Sequence, residues 1–207
     1  DWCRERVRRY PTILPSYGEA IDKINPYVFL GRLFGQLPEG EVVVCADGSA
    51  CVMTFHAAAL KKGQRLYHNS GAAPMGYDLP AAIGACIGGG RRRVICLSGD
   101  GSIQMNLQEL QTISAHRLPI KIFVINNDGY LSIRQTQTNY FPDNPIGCGP
   151  ESGVTFPDFK LLAAAFGLPY RVARRPDELD EVLRETLALG GPALCEVVVD
   201  PAQGFAP

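Results

Sequence analysis

The chain has 207 residues, 46% of them hydrophobic and 20% charged, and its 20 Lys+Arg nearly cancel 21 Asp+Glu. That balance leaves no electrostatic footprint for nucleic acid or an anionic membrane, and an ordinary composition excludes disorder, collagen-like repeats and coiled coils. A chain of this length buries roughly 70% of its extended surface. Its mostly apolar stretches, such as 120–125 with the single Lys121, are strand-sized and too short to cross a bilayer. The expectation is a soluble, cytoplasmic protein with one sizeable core. The seven cysteines form no C-x-x-C pair, and Cys45, Cys96 and Cys195 stand inside apolar runs. They read as buried reduced thiols, not as a disulfide framework or a zinc site.

Residues 1–24 mix charge with Pro11, Pro15 and Gly18 and carry no sustained period. They read as a linker from a domain upstream, and a start at Asp1 without Met fits a segment of a longer chain. The domain proper, residues 25–207, opens at Asn25-Pro26, an N-cap followed by proline at the first helical position, with Val28, Phe29, Leu30, Leu33, Phe34 and Leu37 behind. Residues 42–46 form a β-branched strand, left through the turn Asp47-Gly48-Ser49. A short strand follows at 65–68, then a small-residue helix at 76–87. The strand 93–98 ends in Gly99-Asp100-Gly101, and Ser102 is read as capping a helix that runs to His116. The strand 119–126 ends in Asn127-Asp128-Gly129. Beyond a Pro/Gly-rich excursion at 141–153 come a helix at 156–166, a strand at 170–173, an amphipathic helix at 176–189 and a last strand at 193–199.

Strands that alternate with helices, and that are apolar on both sides, specify an α/β fold: a doubly wound, mainly parallel sheet with helices on both faces. In such sheets ligands bind where strands end in loops. GDGS at 99–102 and INNDGY at 125–130 both follow buried strands with one helix between them, so Asp100 and Asn127 are expected at one sheet edge. A carboxylate, an amide oxygen and loop carbonyls make an oxygen-only set suited to Mg²⁺, which takes about six oxygens and leaves several positions to phosphates and water. Gly99 and Gly101 let the backbone approach a diphosphate closely. The pattern predicts a metal-bridged diphosphate.

GDGS followed by NN, with 127 − 100 = 27 residues between Asp100 and Asn127, resembles the thiamine diphosphate-binding motif. The resemblance implies Mg²⁺ held by Asp100, Asn127 and the main-chain carbonyl of Gly129, with Gly101, Ser102 and Tyr130 near the cofactor. The stretch SGAAPMGYDLPAAIGA, residues 70–85, is similar to the SGG-x-x-x-MGYGLPAAIGA segment of acetolactate synthase-like enzymes. That likeness implies that Met75 props the cofactor and that the Ala73 carbonyl accepts from its aminopyrimidine. Ser49 and Ala50 stand where the family has a diphosphate-contacting Gln-His pair, so the resemblance implies that those two positions meet the cofactor through their backbone N–H groups.

The resemblance covers residues 25–200, the carboxyl-terminal cofactor-binding domain of such enzymes. It implies a catalytic Glu on an upstream pyrimidine-binding domain or separate subunit, a place for FAD on a further domain, and a homo-oligomer. It also implies a 2-oxo acid substrate with a carbonyl acceptor. A Trp that favours 2-oxobutyrate as acceptor in such enzymes aligns with Thr136, which implies a wider, more polar acceptor pocket. Tyr130 and Arg134 are read either as facing the diphosphate or as an ordinary helix start. His56, His68 and His116 show no metal spacing. A Rossmann-type dinucleotide site at GDGSIQ is the rival, weakened by Gln104 at the third glycine position and by Asp100, which would repel a bare pyrophosphate. A cofactor-binding domain that only regulates a partner is the other alternative.

Overall fold

The computed structural model describes residues 1–19 and 22–205. Six strands form one sheet: β1 (Val42–Cys45), β2 (Arg65–Tyr67), β3 (Val94–Gly99), β4 (Ile120–Asn126), β5 (Tyr170–Ala173) and β6 (Ala193–Val198), in the order β2-β1-β3-β4-β6-β5. Every ladder is parallel, and β3 pairs with β4 from Val94↔Ile120 to Gly99↔Ile125. The doubly wound α/β expectation is met. From β1 the chain winds outward to β2 in one direction and to β3 and β4 in the other. That reversal opens a crevice at the carboxyl ends of β1 and β3.

The strands are apolar on both sides because helices cover both faces. Val43, Cys45, Ile95, Leu97, Phe123 and Ile125 point to one face. There they meet α2 (Pro26–Gln36), α3 (Ser49–Ala57) and α8 (Leu179–Ala188), which contribute Phe29, Leu33, Met53 and Leu183. The alternate residues Val44, Val94, Cys96, Ile122 and Val124 point the other way. Their partners are Leu79, Ile113 and Phe159 from α4 (Asp78–Gly88), α5 (Glu109–Ala115) and α7 (Phe159–Ala165). Period two in the strands and 3.6 in the helices thus build a three-layer stack.

Local chemistry sets the helix ends. The Asn25 side chain accepts from the N–H of Tyr27 and Val28 and caps α2, as expected. Asp158 caps α7 in the same way, which starts that helix at Phe159 and not at 156. Glu178 accepts from the backbone of Arg174 and Arg175, and α8 begins only after it. Residues 1–19 and 22–24 are the described part of the segment read as a linker. They form α1 (Trp2–Arg9), which buries nothing, and a short 3-10 turn at Pro15–Gly18. Ile13 and Tyr17 pack on the core, and buried Ile24 bridges to Val199.

Six cysteines are buried, Cys3 is exposed and all seven are free thiols, as the sequence led us to expect. Lys121 is the one buried cation among the described residues. Its ammonium donates to the carbonyls of Leu189 and Gly191 and so ties β4 to the turn after α8. Burial, with Arg93 nearby, pulls its pKa down to about 8.

Candidate functional site

The turns leaving β1, β3 and β4 surround a pocket of about 60 Å³ at the carboxyl edge of the sheet. Asp47, Gly48 and Ser49 form one wall; Gly99, Asp100, Gly101 and Ser102 form a second. Asn127, Gly129 and Tyr130 close the third side, and Met75 reaches in from the segment before α4. Gly48 adopts φ +68° to turn the chain into α3, so the amino end of that helix meets the pocket.

Asp100 is the centre of this arrangement and is buried. Its Oδ1 accepts from the N–H of Gly101 at 2.8 Å, and its Oδ2 accepts from the N–H of Asn127 and of Gly129, both at 3.1 Å. Burial pushes the carboxyl pKa up to about 6, against the downward pull of those backbone donors. Asn127 donates from Nδ2 to Ser49 Oγ at 3.2 Å. Its Oδ1 is buried and has no hydrogen-bond partner in the protein. An unsatisfied buried acceptor costs about 1–3 kcal/mol unless something else binds it. The orphaned oxygen and the Asp100 carboxylate are therefore groups that could ligate a hard cation. Among the described residues, no group of three His, Cys, Asp or Glu side chains is placed to hold a metal ion. A cation here needs the amide and carbonyl oxygens as well.

Close approach explains the glycines. A Cβ on Gly101 would collide with the Tyr130 ring, and one on Gly129, at φ +147°, with the Cys148 carbonyl. Tyr130 in turn stands edge-on to Phe156 with ring centroids 5.7 Å apart, and its N–H donates to the Cys148 carbonyl at 2.8 Å. The Gly101 backbone is thus packed from one side by an aromatic ring, and its other side faces the pocket.

The structure gathers Ser49, Met75, Asp100, Gly101, Ser102, Asn127, Gly129 and Tyr130 around one pocket. It leaves out two of the expected residues. The Ala50 methyl lies in the core cluster under α3, and Ala73 is exposed on its loop at φ +47°, a strained value for a non-glycine residue. Ser102 is not a helix cap. It has helical φ and ψ, a 3-10 turn (Ile103–Asn106) follows it, and α5 begins only at Glu109. Its hydroxyl is committed elsewhere, accepting from Gly76 N–H at 2.9 Å and donating to Asp78 at 3.1 Å. Arg134 turns away to the Asp128 carbonyl and to Glu151. No histidine lines the pocket: His56 stacks on Tyr27, His68 lies against Phe55, and His116 is exposed.

Sequence reasoning missed Leu131, Ser132 and Ile133 as lining residues and missed buried Asp78; it marked Asp47 as a turn site after a strand without making it a site residue. Asp47 carried a usable signal, since it begins the turn after a strand, as Asp100 and Asn127 do.

Comparison with known proteins agrees with this geometry. Residues 47–197 match the family model for the thiamine pyrophosphate enzyme, C-terminal TPP binding domain; thiamine pyrophosphate is thiamine diphosphate under its older name. An acetolactate synthase large subunit of Porphyra purpurea is 36% identical over 201 residues, covering 95% of this chain and 33% of that protein. The acetolactate synthase isozyme 2 large subunit of Escherichia coli (strain K12) is 32% identical over 208 residues, 100% of this chain and 37% of its own length. Acetolactate synthase 2, chloroplastic, of Brassica napus is 30% identical over 199 residues, 94% of this chain and 31% of that one. The chain spans about a third of the length of these relatives. It belongs to the family of C-terminal thiamine diphosphate-binding domains of acetolactate synthase-like enzymes.

Proposed function

We propose that this chain is the cofactor-binding part of a thiamine diphosphate-dependent 2-oxo acid decarboxylase or carboligase. It holds the diphosphate through Mg²⁺ ligated by Asp100, Asn127 and the Gly129 carbonyl. The observation that carries this reading is the unpartnered, buried Oδ1 of Asn127 beside the Asp100 carboxylate. When bound, thiamine supplies the electron sink for breaking or making a bond next to a carbonyl. The chain supplies the metal ligands, the backbone N–H of Ser102 for the phosphates, and the Met75 wall. The pocket-lining acids are Asp47 and Asp100, with no glutamate among them, so the catalytic Glu is assigned to another domain or subunit. A site completed in this way favours an oligomer. Seven free thiols suit a reducing compartment such as the cytoplasm.

Thermal unfolding tests the cofactor reading. Thiamine diphosphate with Mg²⁺, at 100 times its dissociation constant, should stabilise the chain by about 2.7 kcal/mol, while NAD does nothing. The chain by itself should release no CO₂ from pyruvate. Stabilisation by NAD instead would restore the dinucleotide reading, and turnover by the chain alone would put the catalytic acid within it.

The acceptor side of the reading rests on α6 (Leu131–Tyr140). Thr136 lines a cavity of about 420 Å³ with Ser132, Ile133, Gln137 and Phe141, next to the metal pocket through the shared Ser132 and Ile133. A small polar side chain leaves this space open to an acceptor bulkier or more hydroxylated than 2-oxobutyrate. The enzyme containing this chain, given pyruvate and a panel of aldehydes and ketones, should form mixed products. Efficient acetolactate formation with no gain from any added acceptor would instead make it a simple acetolactate synthase.

A further inference from the structure

We infer that Asp78 is a positioning residue of the cofactor cleft, which acts through Ser102 to fix the Met75–Gly76 wall against the metal loop. The inference rests on the cofactor reading above and adds a residue that touches neither metal nor cofactor. Asp78 is fully buried in the first turn of α4, and its hydrogen-bond partners are neutral. Oδ1 accepts from the N–H of Leu79 at 2.7 Å, while Oδ2 accepts from the hydroxyls of Ser98 and Ser102, the latter at 3.1 Å. Ser98 is in β3 and Ser102 in the turn beyond it, so one carboxylate oxygen joins three elements under the pocket floor.

The Ser102 hydroxyl has a single proton, and Asp78 takes it. Its oxygen is left to accept from Gly76 N–H at 2.9 Å. Asn106 Nδ2 holds the next peptide along, donating to the Gly76 carbonyl at 2.7 Å. Gly76 itself has φ +80°, and a Cβ there would lie 2.6 Å from Met105 Cβ. Residues 102–106 therefore grip Gly76 by its donor, its acceptor and its surface, and Met75 follows as the next residue back. Only a carboxylate can accept both serine protons on one oxygen while the other serves Leu79. An amide must turn its NH₂ toward one set of donors. The chain has Asp78 where the similar MGYGLPAAIGA segment has glycine, so this clamp is an addition to that pattern. Ser102 accordingly offers the diphosphate its backbone and not its hydroxyl.

The experiment is calorimetric titration of the chain with two ligands, each with Mg²⁺: thiamine diphosphate and inorganic pyrophosphate. Pyrophosphate reaches the metal loop but carries no aminopyrimidine to meet Met75. Asp78→Asn should weaken thiamine diphosphate about tenfold and leave pyrophosphate unchanged. Ser102→Ala should show the same selective loss, and the double variant should be no worse than either single one. Ser102→Ala carries the test if Asp78→Asn does not fold. Equal loss of both ligands, or loss of neither, would overturn the inference and leave Asp78 a structural residue. An unaltered chain that binds neither ligand would overturn the cofactor reading and the inference together.

Discussion

Asp100→Ala is expected to abolish Mg²⁺-dependent binding of thiamine diphosphate, a loss of at least about 3 kcal/mol or more than a hundredfold in affinity. On the proposed Mg²⁺ reading the reason is charge: without the carboxylate, a bound cation would keep only the neutral Asn127 and Gly129 oxygens. Two opposed effects act on the ligand-free fold. Alanine removes a buried carboxylate whose ionised form is disfavoured, as its pKa of about 6 indicates. It also orphans the N–H groups of Gly101, Asn127 and Gly129. Unsatisfied buried donors cost about 1–3 kcal/mol each, but this pocket is open enough for water to serve some of them. Destabilisation of the free chain by about 1–2 kcal/mol is the balance we expect. Asp100→Asn separates the two roles. It keeps one acceptor oxygen for the turn but sets its NH₂ against the remaining N–H donors, so it should cost less stability than alanine, yet an amide does not replace the charge at the metal. Calorimetric binding that survives Asp100→Ala unchanged would make the metal assignment wrong.

The sheet and its functional edge were legible because their signals are local. β-branched runs and the turns GDGS and NNDG mark where β3 and β4 end, and parallel pairing then sets Asp100 beside Asn127. Three elements left weaker traces. The α3 sequence SACVMTFHA is apolar without a preferred side and lacks a side-chain cap, since it opens from Gly48 at positive φ. The α6 sequence LSIRQTQTNY is polar, with only Leu131 buried to give a period. In α1 no residue is buried, so no hydrophobic stripe exists to be read. Asp78 is a different case. In sequence it is an ordinary acid in the first turn of a helix, and only Ser98 and Ser102, 20 and 24 residues away, make it the hub of a network. Tertiary neighbours decide its role, and local pattern carries no trace of them.

A steep loss of stability above pH 8 is expected from the buried thiols. Cys45, Cys96 and Cys195 are fully buried, and burial is the main cause that raises each pKa well above the free value, for Cys195 up to about 12. An unfolded thiol ionises near about 8.5. Because the folded values lie above the unfolded one, the stabilising contribution is complete below that pH. It is lost as pH rises toward the folded pKa. Each thiol then costs about 2 kcal/mol between pH 8 and pH 10, about 6 kcal/mol for the three. Lys121 works the other way. Its folded pKa of about 8 lies below the unfolded value, so the penalty for burying its charge fades over the same interval and returns about 2 kcal/mol. The net change is a loss of about 4 kcal/mol, a large share of the 5–15 kcal/mol that typically holds a domain together. Denaturant unfolding at pH 8, 9 and 10, with reductant to keep the thiols free, measures it. Cys96→Ala should lower absolute stability at every pH through the cavity it leaves, yet flatten the pH dependence by about 2 kcal/mol. Lys121→Met should steepen it by a similar amount. A wild-type curve level from pH 8 to pH 10 would mean that the thiols reach water in the folded state, and the packing described around Cys45, Cys96 and Cys195 would be wrong.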